Sequence, residues 1–168
     1  SCSVCYTVDG GEEGVIEAEC FEAYKAVIEI RGLSMHPGTA RGKLVNAVEM
    51  AGMLITLLPR SESPESTDGR YGFYCPLGVS GDIEAAQVEL FVRDFEEREC
   101  LRRLDALQAM AAAVRAAFPG GTVNVKTEKQ YANMRTRIAA HPQVLQALRR
   151  AITAAGLTPR ERPIRGGT

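Results

Sequence analysis

Nitrogen donors for a metal are scarce in this chain, where His36 and His141 are the only histidines among 168 residues. A tetrahedral structural site needs four sulfur or nitrogen ligands. The one C-x-x-C, Cys2 to Cys5, has neither a second such pair nor a histidine pair to complete it. Five cysteines at irregular spacing are an odd number, which reads as ordinary reduced thiols rather than a disulfide framework. Excess charge is also lacking. A net charge of −1 argues against a basic nucleic-acid-binding surface. No run approaches the roughly eighteen apolar residues of a membrane span, and no basic region precedes an apolar stretch at the start as a secretory signal requires. The expected compartment is the cytoplasm, with neither nucleic acid nor membrane as partner.

What is present is patterned. Residues 4–8 read as a short strand ending at Asp9-Gly10-Gly11, where glycines permit a turn. Residues 14–19 form a second extended segment. Tyr24, Ala26, Ile28 and Ile30 then alternate with Lys25, Glu29 and Arg31, the period of a half-buried strand. His36-Pro37-Gly38 places a histidine in a fixed turn. A helix is expected over residues 39–58, stopping at Pro59, with Asn46 within its body so that His36 and Asn46 face one space.

Residues 60–70 read as a solvated loop, and 72–80 and 86–95 as strands. In the second of these Val88, Leu90 and Val92 point one way, Glu89, Phe91 and Arg93 the other. Asp94 and Glu97 suggest a capping box opening a helix striped by Leu101, Leu104, Leu107, Ala111, Val114 and Phe118. Val123, Val125 and Thr127 make a last strand. The order is βαββαβ, an α+β ferredoxin-like antiparallel sheet with two helices on one face. His141-Pro142 starts a further helix with Val144, Leu145, Leu148 and Ile152 on one side. The expected organisation is a central domain over residues 15–132, with flanks 1–14 and 133–168 belonging to something larger.

Seven short motifs stand in order along the whole chain: residues 6–11 (Tyr-Thr-Val-Asp-Gly-Gly), 36–40 (His-Pro-Gly-Thr-Ala), 45–47 (Val-Asn-Ala), 62–65 (Glu-Ser-Pro-Glu), 72–74 (Gly-Phe-Tyr), 93–95 (Arg-Asp-Phe) and 163–168 (Pro-Ile-Arg-Gly-Gly-Thr). Together they resemble the peptidase T family, tripeptide aminopeptidases of the dinuclear zinc exopeptidases. The resemblance implies a catalytic domain holding two zinc ions and an inserted ferredoxin-like lid that forms a homodimer. By that resemblance Asp9 is a zinc ligand. His36 reaches an active site, that of the other subunit in dimeric members, to stabilise an oxyanion. Asn46 and Arg93 are candidate substrate-binding groups, and Arg165 a clamp for the peptide's C-terminal carboxylate.

One carboxylate cannot hold a catalytic metal, and the family's other ligands and general-base glutamate lie outside this sequence. The chain alone is therefore expected to bind no zinc tightly and to cleave no tripeptide. Two other readings stay open: a related zinc dipeptidase, carboxypeptidase or deacylase, and a stand-alone, non-catalytic dimerisation module.

Overall fold

A computed structural model describes residues 4–8 and 11–167. In chain order the elements are β1 (Val15–Ile16), β2 (Glu22–Arg31), α1 (Ala47–Leu57), β3 (Phe73–Gly81), β4 (Ala85–Asp94), α2 (Glu97–Ala117), β5 (Thr122–Tyr131), α3 (Arg135–Ala139), α4 (Pro142–Ala154) and β6 (Arg160–Glu161). They divide into two compact units, Glu22–Ala132 and the pair Ser1–Phe21 with Asn133–Thr168. Val15 and Ile16 pair with Arg160 and Glu161, so they fall in the flanking unit and not with the sheet that follows.

The Glu22–Ala132 unit is the α+β arrangement expected: a four-stranded antiparallel sheet in the order β3-β4-β2-β5 with two long helices. Alternation builds it. Tyr24, Ala26 and Ile28 of β2 sit opposite Val92, Leu90 and Val88 of β4, all six buried. Met50, Ala51 and Leu54 of α1 and Leu104, Leu107, Ala111 and Val114 of α2 recur at helical spacing and join the same core. Each large aliphatic side chain enclosed there contributes about 1.5–3 kcal/mol. Intervening residues take the opposite face, where Lys25 pairs with Glu89 at 2.8 Å and Lys126 with Glu29 at 2.6 Å. Such solvent-exposed pairs add little stability.

Several boundaries differ from the sequence expectation. Helix α1 begins at Ala47, not near residue 39. Residues 37–39 form a single 3-10 turn, and Gly42 takes φ +70°, which a right-handed helix cannot contain. Asn46 is thus the N-cap and not part of the helix body; its Oδ1 accepts the Val48 N–H at 2.9 Å. The capping box at α2 does not form. Asp94 Oδ1 accepts the Glu96 N–H at 3.0 Å, but α2 opens at Glu97, whose carboxylate accepts from Lys129 at 2.6 Å and from the Tyr24 hydroxyl at 2.9 Å.

In the flanking unit, residues 4–8 are exposed and belong to no strand. Strands β1 and β6 are short and parallel. The five-residue helix α3 had no visible sequence signal. Helix α4 has proline at its start, as expected, and no buried residue.

Candidate functional site

The His36 turn projects from a pinned base. Gly32 follows β2 and donates to Glu84 O at 2.8 Å; a Cβ there would strike the carbonyls of Val45 and Ile83. Leu33 and Val45 exchange both backbone hydrogen bonds, at 2.8 and 3.1 Å, and Ala47 N–H donates to Ile83 O at 2.9 Å. Residues 34–44 are thereby closed into a loop standing away from the sheet. Within it the His36 carbonyl accepts the Thr39 N–H at 2.9 Å, and Nδ1 accepts the Gly38 N–H at 3.1 Å. A ring nitrogen that accepts carries no proton, so the ring's N–H lies at Nε2. The exposed ring thus presents an Nε2–H donor, the group suited to a developing oxyanion.

The other sequence-derived candidates do not converge on that turn. Asn46 closes the loop beside Val45 as the cap of α1. Arg93 stands at the far end of the sheet. It pairs with Ala23 at the start of β2, whereas the His36 loop leaves after Arg31 at the end of the same strand. At about 3.3 Å per residue these points are roughly 25 Å apart.

Arg93 is also engaged. The β2–β5 register slips between Ala23 and Tyr24, passing over Gln130. Arg93 Nη1 donates to Tyr24 O at 2.7 Å and to Val92 O at 3.0 Å, while Nη2 donates to Gln130 Oε1 at 2.8 Å. Its guanidinium lies 4.2 Å from the Phe91 ring centroid. Burial lowers its pKa from the ordinary guanidinium value. Arg93 therefore stitches the irregularity in the sheet as well as facing its open side. Arg165, in the flanking unit, lies over the Phe21 ring at 5.3 Å. Asp9 lies outside the described residues.

Sequence reasoning missed a buried ionic knot. Arg103 Nε meets Glu62 Oε2 and its Nη1 meets Asp94 Oδ2, both at 2.7 Å. The Tyr74 hydroxyl donates to Arg103 O at 3.0 Å, and a Cβ on Gly72 would strike the Asp94 carboxylate. The only available signal was that Glu62, Gly72 and Asp94 each sit in one of the seven motifs that carry the family resemblance.

Among the described residues no three His, Cys, Asp or Glu side chains stand together as a metal site. They do not by themselves fit a two-metal centre. Cys5, Cys20, Cys75 and Cys100 form no disulfide.

The peptidase dimerisation domain profile matches residues 21–127, the sheet-and-helix unit almost whole. The chain belongs to the M20 peptidase dimerisation domain family. This dimerisation domain is similar to the peptidase T of Vibrio cholerae, 36% identical over 163 residues, covering 97% of this chain and 40% of that protein. It is 40% identical to the peptidase T of Edwardsiella ictaluri over 164 residues, with the same coverage of each. The chain thus spans about 40% of the length of the curated relatives it matches. In fold it resembles the aminopeptidase PepT of Bacillus cereus, with a TM-score of 0.78 at 19% identity over 95% of this chain and 42% of that one. A dinuclear metal-binding M20 peptidase of Bacillus subtilis gives 0.62 at 14% identity, over 92% of this chain and 39% of that one. No described helix is long and apolar enough to cross a membrane.

Proposed function

We propose that this dimerisation domain and its flanks are part of a cytoplasmic zinc aminopeptidase that releases the N-terminal residue of tripeptides. Residues 22–132 are the lid, and the remainder belongs to the catalytic domain. The likeness to peptidase T along nearly the whole chain supports the substrate class. The two zinc ions are assigned to the rest of the protein, with Asp9 the ligand contributed here. They supply the Lewis acid and the activated water of the hydrolysis.

The observation that carries the reading is the His36–Gly38 hydrogen bond, which leaves Nε2 as the donor. Nε2–H donates to the scissile carbonyl oxygen as negative charge builds on it. The Asn46 side-chain amide, with Oδ1 engaged by Val48, offers its Nδ2 protons to the substrate. Arg93 lends whatever donor capacity the sheet leaves it, and Arg165 holds the peptide's C-terminal carboxylate.

An extended tripeptide is only about 10 Å long, less than half the length of β2 between the strand end beside Arg93 and the end from which the His36 loop leaves. One substrate cannot engage both residues of one copy. Following the peptidase T resemblance, we assign His36 to the active site of the other copy in a homodimer. The pairing surface we assign is β3, one of the sheet's two edge strands, where Leu77 and Val79 are about half exposed.

In the whole enzyme, His36→Ala is expected to lower kcat for Leu-Gly-Gly about 10²–10³-fold with little change in KM. Mixing inactive His36→Ala and Asp9→Ala proteins is expected to restore activity, because hybrid dimers pair one intact His36 with one intact metal site. An unchanged kcat in the single variant sinks the reading.

A further inference from the structure

Residues 14–21 run beside residues 160–166 as a parallel ladder that outlasts the two-residue strands β1 and β6. Arg160 N–H donates to Gly14 O at 2.8 Å, Arg162 to Ile16 O at 3.0 Å and Ile164 to Glu19 O at 2.8 Å. The last rung reverses direction, with Phe21 N–H donating to Gly166 O at 3.2 Å. This ladder carries Arg165 to Phe21.

The turn that holds Arg165 continues as Gly166-Gly167. Phe21 meets this turn in two ways. Its backbone holds Gly166, and its fully buried ring lies under the Arg165 guanidinium. Phe21 is itself held from the preceding residue, since Cys20 N–H donates to Asn133 Oδ1 at 3.3 Å, an oxygen that also accepts the Arg135 N–H at 2.9 Å. Contact with a ring uses the guanidinium's face, whereas a carboxylate is bound bidentately at its N–H edge. The two demands are compatible.

We infer that Phe21 is a positioning residue for Arg165, presenting the guanidinium edge-on to the C-terminal carboxylate of the peptide substrate. The inference rests on the carboxylate-clamp role proposed for Arg165. It is tested in the whole enzyme by measuring kcat and KM for Leu-Gly-Gly and for its C-terminal amide.

Phe21→Leu keeps an apolar side chain but removes the ring. It is expected to raise KM for the free acid roughly five-fold, the scale of a cation–π contact. KM for the amide and both kcat values stay unchanged, and Phe21→Tyr behaves as the parent. Arg165→Gln is expected to abolish the preference for acid over amide. Suppose Arg165→Gln abolishes that preference while Phe21→Leu leaves the acid's KM alone, or lowers both kcat values alike. Then the positioning role falls and the clamp stands. A preference that survives Arg165→Gln overturns both. General damage to the fold is visible in this design as an equal loss on the two substrates.

Discussion

Asp94 and Arg103 meet as a buried ion pair, Oδ2 to Nη1 at 2.7 Å, each side chain less than a tenth exposed. Glu62 closes on the same guanidinium from the loop between α1 and β3. Arg103→Met strands the Asp94 carboxylate in the interior and is expected to cost about 3–5 kcal/mol by urea unfolding. Adding Asp94→Asn to that variant recovers about half the loss, since the stranded charge disappears. A single-variant cost below about 1 kcal/mol would refute the buried-pair account.

Tyr74 gives the fold an alkaline limit. Burial, reinforced by the nearby Glu62 charge, pushes its phenol up to about 12 from 10.0. A raised folded pKa favours the neutral form in the native state. Its stabilising contribution is therefore complete below pH 10 and is lost as pH rises through about 12. Tyrosinate absorbance of the parent minus that of Tyr74→Phe isolates this group. A midpoint at the ordinary value of 10 contradicts the assignment. Tyr74→Phe also removes the bond to Arg103 O, at a cost of about 1 kcal/mol near neutral pH.

Gly32 has no room for a methyl group, because the Val45 and Ile83 carbonyls occupy that space. Gly32→Ala is expected to destabilise the chain by about 1–3 kcal/mol and to loosen the base of the His36 loop. In the whole enzyme kcat then falls more than stability alone explains. Faster hydrogen exchange at Leu33 and Val45, whose bonds close the loop, is the direct measurement. Unchanged protection there counts against the pinned base.

The proposed pairing through the exposed edge of β3 is open to a direct test. Leu77→Lys with Val79→Lys places charge on the free edge and is expected to convert a dimer of this chain into a monomer by light scattering. A parent chain that is monomeric at high concentration counts against the homodimer. Double-lysine protein that still dimerises moves the interface off β3.

The strands and the α+β class were legible because alternation along β2 and β4 is a local property, readable residue by residue. The start of α1 was not. Apolar spacing runs back before Ala47, and only the backbone shows that Gly42 takes φ +70° while Leu33 captures Val45. Asp94 was legible as a helix-start residue but not as half of an ion pair, since Arg103 and Glu62 reach it from separate segments. The candidate site was legible as a set of motifs and not as a place. His36 and Arg93 lie on opposite ends of one sheet, and sequence order carries no information about that distance.

The chain departs the flanking unit after Phe21 and returns to it at Asn133. Those two crossing points are stitched side by side through the Asn133 side chain and the Cys20 amide. An insertion whose two ends emerge together makes little demand on its host. A short turn could join Phe21 to Asn133 without stretching either strand, and the entropy of closing a loop there grows only with the logarithm of what is inserted. Residues 22–132 therefore form a cassette, one that gene fusion could add, exchange or remove while the surrounding domain keeps its own ladder intact.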